Sequence, residues 1–181
     1  MSLLSNGAFP AIQPHTSLDV SAEERMNAVD YVNRVNLLFE EYNTEKLLDT
    51  FTPDGIAYHF HGTIKTRDER RKFSEETYPC LIPGVSRHAS NHIVDRDEET
   101  GGVILRYHLH LVRYAWPGEQ ADKLKETSAY EAETDGTLPQ IWLFSPMIDR
   151  LKLTSDGYKI YERYVGSSVV NPKLNPDKGS S

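Results

Sequence analysis

The chain has 181 residues, 38% of them hydrophobic and 26% charged, which suits one globular domain with a sizeable core and leaves too little for two. Its formal charge of −7 argues against nucleic acid as a partner, because phosphate contacts need clustered Lys and Arg, and basic stretches such as Arg67 to Lys72 are interrupted by acids. No apolar run is long enough to cross a bilayer, so no membrane partner is expected.

The first twenty residues contain Pro10, Pro14 and Asp19 and have neither a basic start nor a continuous apolar segment. They read as an arm and not as a signal peptide, which places the protein in the cytoplasm. Ser21 with Glu24 forms a capping box, and Val29, Val32, Asn36 and Phe39 recur at helical spacing, predicting a first helix to about Tyr42. A second, shorter helix over Glu45 to Phe51 should end at the Pro53-Asp54-Gly55 turn, with a strand from Ile56 to His61. Thr66 with Glu69 opens a third helix that Pro79 should stop.

From Ser86 onward five extended segments are expected: Ser86 to Asp95, Val103 to Trp116, Lys125 to Glu133, Ile141 to Leu153 and Tyr158 to Ser167. Gly101-Gly102, Asp135-Gly136 and Asp156-Gly157 are the dipeptides that close antiparallel hairpins between them. Helices followed by an antiparallel sheet make the fold class α+β, with an arm over residues 1–20, a domain over 21–168 and a tail over 169–181. Cys80 is the only cysteine, which rules out an internal disulfide.

Six of the seven histidines lie in expected strands, and His15 lies outside them. Alternation puts His59 with His61 on one face and His108 with His110 on one face, and a spacing of four puts His88 with His92 together. If such a face is concave, imidazoles converge on an interior space where a proton carrier is useful; otherwise they are surface or core residues. Glu40 follows Asn36 by four residues and so continues the buried stripe of the first helix, where a carboxylate needs a partner. Facing an imidazole it would make that ring a stronger base; at a frayed helix end it would be solvated. Both readings of Glu40 stay open.

The order of helix, short helix ending in Phe51 to Gly55, strand, helix and a last hairpin over Asp156 to Arg163 resembles the SnoaL-like branch of the nuclear transport factor two-like superfamily, over roughly Glu24 to Gly166. The resemblance implies a strongly curved antiparallel sheet wrapped as a cone on three N-terminal helices, with a deep pocket, often in a homodimer or homotrimer. Within that superfamily the chain is most similar to scytalone dehydratase and lindane dehydrochlorinase, which use a His and Asp dyad. By that similarity His88 is the catalytic histidine, and Glu40, eleven residues before Phe51, stands in place of the aspartate. Tyr58 matches a pocket tyrosine, His108, His110 and Tyr114 point inward, and Ile148 or Asp149 falls near a pocket asparagine. Phe39 stands where scytalone dehydratase has a tyrosine.

No Gly-rich phosphate loop or dinucleotide fingerprint is present, so no cofactor is expected and the chemistry is what acid–base groups do unaided: dehydration, isomerisation or cyclisation. His88 would remove a proton, Glu40 would stabilise the imidazolium, and Tyr58, Tyr114, His108 or His110 would receive the oxygen where charge develops. Phe60, Trp142 and Phe144 would line the pocket for a flat, largely apolar small-molecule substrate, polyketide-like or terpenoid-like by analogy, unless they are ordinary core residues. Two rivals are a three-histidine metal site and a non-catalytic ligand-binding or dimerisation module of the same fold. No metal is expected.

Overall fold

A computed structural model describes Ile12, Pro14, residues 19–126 and residues 136–176. Helix α1 spans Ala22–Glu41, and its start is the expected capping box: the Glu24 N–H donates to Ser21 Oγ at 3.2 Å, and the Ser21 N–H donates to Glu24 Oε2 at 2.9 Å. It buries Ala28, Val32, Val35, Asn36 and Phe39, the stripe that helical spacing predicts. Helix α2 is only Thr44–Leu48, capped by Asn43.

Phe51 does not end that helix but opens strand β1, Phe51–His59, because Thr50 O already accepts the Ile160 N–H at 2.8 Å and draws the chain into the sheet. Pro53 to Gly55 is absorbed as an irregularity between two stretches of β1 pairing instead of reversing the chain. Only glycine suits position 55, where an added Cβ would meet Ile160 O at 2.9 Å.

Strand β2, Gly62–Ile64, precedes α3, Arg67–Glu76, whose Thr66 and Glu69 form the second capping box. That helix stops before Pro79, which instead occupies the first turn of a new short helix, α4, Tyr78–Leu81, where a missing N–H costs nothing. Strands β3 (Val85–Arg96) and β4 (Val103–Arg113) follow, then α5 (Glu119–Glu126), β5 (Gln140–Thr154), β6 (Gly157–Val165) and β7 (Val169–Val170). Lys125 and Glu126 therefore belong to a helix, and residues 127–135 of the strand expected there lie outside the described residues.

The sheet runs β2-β1-β6-β5-β4-β3, with β7 beside β5. It is mixed, not wholly antiparallel, because β1 pairs with β6 in parallel while every other pairing is antiparallel. Five α-helices and a short 3-10 helix, Pro172–Leu174, are described rather than three helices, and the class is α+β. No described helix is long and apolar enough to cross a membrane.

Helix α1 packs against one face of the sheet, here the inner face, which carries Leu105, Tyr107, Leu109 and Leu111 of β4 and Leu143, Met147 and Leu151 of β5. Charge is paired on both faces of the sheet. On the inner face Arg163 forms a fork with Asp149 at 2.7 Å to each oxygen, and Tyr107 donates to the same carboxylate at 3.0 Å. On the outer face Arg150 bonds Asp97, Glu99 and Glu162. The segment after β6 returns to the sheet: Trp142 Nε1 donates to Asn175 Oδ1 at 2.8 Å, and Arg113 donates to Leu174 O at 2.8 Å.

Candidate functional site

The cavity lies on the inner face between β1, α3, α4 and the middle of the sheet, and measures about 130 Å³. Its walls are mainly apolar, from Phe39, Leu47, Phe51, Phe73, Leu109, Trp142 and Met147. It is also lined by His59, His61, Tyr78, Arg70, Arg87 and Arg163, and by no carboxylate among the described residues.

The phase of β3 decides which residue enters. Val85, Arg87 and Ala89 pair with Arg113, Leu111 and Leu109 and so share the inner face, whereas Ser86, His88 and Ser90 share the outer one. His88 is exposed and lies directly opposite His110 across the strands. Glu40 does not meet it: Glu40 Oε1 accepts the backbone N–H of Arg87 at 2.6 Å and the Ser86 hydroxyl at 3.1 Å. The expected dyad is thus not assembled, since the carboxylate ties down the start of an edge strand and the imidazole faces away.

Nor do His88 and His92 share a face. Asn91 adopts φ 57°, the register slips between Ser90 and Ile93, and His92 stacks inward on Tyr107 with ring centroids 5.6 Å apart.

The other expected residues divide in the same way. His108 and His110 lie on the outer face of β4, both packed against Phe144 of β5 at 5.3 and 5.2 Å. Inward positions on β4 belong to Tyr107, Leu109 and Leu111 instead. Tyr58 also faces outward, stacked on Tyr164 at 4.5 Å, and Tyr114 follows the end of β4 with its N–H on Gly84 O. Asp149 is buried on the inner face but bound to Arg163, and it is not part of the cavity wall. Phe60 and Trp142 do line the cavity.

Three cavity residues that chemistry can use, Tyr78, Arg87 and Arg163, were not singled out by sequence, and His59 and His61 were noted as a pair without being assigned to the site. The shared face of His59 and His61 was visible as a His-x-His pair, and the inward phase of Arg87 was written in the flanking Val85 and Ala89.

A wall of rings runs from the imidazoles to the guanidinium of Arg87. His61 stacks on His59 at 5.1 Å, His59 meets Phe73 edge-on at 5.2 Å, Phe73 meets Tyr78 at 5.1 Å, Tyr78 meets Phe39 at 5.3 Å, and Arg87 lies 4.2 Å over the Phe39 ring. His59 Nδ1 accepts the His61 backbone N–H at 3.2 Å, so its neutral ring carries its proton on Nε2 and is a donor. Burial, with the nearby charges of His61 and Arg87, depresses its pKa to about 4. Burial raises the Tyr78 hydroxyl against the opposing charges of Arg87 and Arg163, which keeps it a donor at neutral pH. Among the described residues no group of three or more His, Cys, Asp or Glu side chains is arranged to hold a metal ion.

Solved structures define the class of fold. A protein of unknown function with a cystatin-like fold from Nostoc punctiforme matches with a TM-score of 0.61 at 16% identity, covering 86% of this chain and 96% of that one. A Novosphingobium aromaticivorans protein provisionally described as a scytalone dehydratase matches at 0.59 and 16% identity, covering 88% and 96%. ActVI-ORFA from Streptomyces coelicolor matches at 0.59 and 12% identity, covering 78% and 95%. This is the cystatin-like fold of the nuclear transport factor two-like proteins. The signature of the SnoaL-like domain matches residues 20–164, and the chain belongs to that family. No curated protein matches the sequence.

Proposed function

We propose that the chain is a cofactor-independent acid–base enzyme, a dehydratase, isomerase or cyclase, acting on a small, largely apolar aromatic molecule in the inner-face cavity. The observation that carries this reading is the pair of stacked imidazoles, His59 and His61, in an otherwise apolar wall. His59 donates from Nε2 to a substrate carbonyl oxygen, with the Tyr78 hydroxyl as a second donor. His61, exposed at the mouth and able to exchange protons with water, takes the proton from the carbon next to that carbonyl. The electron pair left behind moves onto the oxygen as an enolate, and the ring wall holds the flat substrate body. The provisional description of one solved relative as a scytalone dehydratase favours elimination by analogy.

The test is proton exchange at carbon. With 2-tetralone as probe in D2O, NMR should show deuterium entering beside the carbonyl faster than in buffer, and His61→Ala should cut the excess rate by about a hundredfold or more. Exchange at the buffer rate would favour the second reading, a ligand-binding module without catalysis. That reading is supported by the lack, among the described residues, of any carboxylate in the cavity wall to assist an imidazole.

A further inference from the structure

The cavity is cationic inside a chain whose net charge is −7. Of its three guanidinium groups, Arg163 is neutralised by Asp149. Arg70 donates to Gly55 O and packs on the Phe51 ring, and its Nε has no partner among the described residues. Arg87 is held at the back of its fork only: Nε donates to Asn36 Oδ1 at 3.3 Å, and Asn36 is itself fixed by donating to Val32 O at 3.0 Å. No protein acceptor among the described residues takes the two terminal nitrogens of Arg87. Glu40, whose charge acts on Arg87, has its Oε1 on the Arg87 backbone and on Ser86.

Arg87 is half-buried, and its side chain is pinned by Phe39 and Asn36 in one orientation. Fixing a guanidinium while leaving its paired N–H groups uncommitted makes a receptor for two coplanar oxygens. We infer that the natural substrate is an aromatic carboxylate, its acid group seated on Arg87 and its rings lying along Phe39, Tyr78 and Phe73. This deepens the proposed acid–base reading. The carboxylate anchors one end, and the carbon that loses a proton lies at the other, beside His59 and His61. Arg87 thereby sets specificity and touches the substrate without taking part in proton transfer.

Calorimetry with the full chain tests this, using 2-naphthoate and its neutral analogue 2-naphthamide as probes. The naphthoate should bind about tenfold or more tightly than the amide, as a charge-assisted bidentate contact requires. Arg87→Gln should bring the two affinities together by weakening the naphthoate alone, and Arg87→Lys, which keeps charge but loses the fork, should fall between. Equal affinities in the unaltered protein would overturn the carboxylate assignment while leaving proton exchange on 2-tetralone to stand on its own. Failure of both probes to bind at millimolar concentration would overturn it too. The comparison of two probes on the unaltered protein does not depend on any variant folding.

Discussion

Glu40 Oε1 accepts the backbone N–H of Arg87 at 2.6 Å, and through this bond a helix carboxylate sets the phase of an edge strand. With the N–H of residue 87 directed at α1, the Arg87 side chain enters the cavity and that of His88 points outward. Gly84, at φ +76°, seats the chain before β3 against the segment that follows β4: its carbonyl accepts the N–H groups of Tyr114 and Ala115, and an added Cβ would fall 2.2 Å from Ala115 O.

Glu40→Ala should therefore destabilise the fold by about 1–3 kcal/mol, the range for losing hydrogen bonds to a charged group. Urea denaturation followed by circular dichroism measures it. A midpoint unchanged from the parent protein would mean that the carboxylate is solvated and does not organise β3.

His88→Ala should leave stability within about 0.5 kcal/mol, as expected for an exposed side chain. Exchange on 2-tetralone should also be retained. A loss of about a hundredfold in that rate would restore His88 as the general base and contradict its outward phase.

Asp149→Asn should cost about 3–5 kcal/mol, because it leaves Arg163 buried without its counter-charge. Replacing both partners, Asp149→Leu with Arg163→Met, should cost less than the single change, since no charge is then stranded. Melting temperatures of the two variants give the order, and the reverse order would show that the pair itself carries the stability.

His59 should titrate near pH 4 when followed by imidazole NMR, against an ordinary value of 6.5. Because its folded pKa is depressed, the unfolded chain takes up the proton first. The stability it contributes is present above about pH 6.5 and falls away as pH drops from there toward 4. Adding 2-naphthoate should raise the titration midpoint, since an anion in the cavity offsets the charge of Arg87. A midpoint near 6.5 in the free protein would mean that the ring is solvated.

Much of the architecture was legible because it follows from local rules. Two capping boxes, the Val32 to Phe39 stripe and the hairpin dipeptides placed α1, α3 and the pairings of β3 with β4 and β5 with β6 close to where they lie. The parallel pairing of β1 was not legible, because Phe51 joins Ile160 from more than a hundred positions away and overrides the turn chemistry of Pro53 to Gly55. The His88–Glu40 dyad came from the resemblance, which carries no information on the phase of β3 in this chain, and the bulge at Asn91 separates His92 from His88, which counting as regular strand puts together. Read from Val85 and Ala89 alone, the same strand assigns the inner face to Arg87.

The location of the working site is tested most directly by a crystal structure of the chain with 2-naphthoate. The expected result is the ligand on the inner face, its rings along Phe73, Tyr78 and Phe39 and both carboxylate oxygens within hydrogen-bond distance of the terminal nitrogens of Arg87. Ligand on the outer face instead, against His88, His110 and Phe144, would contradict the account.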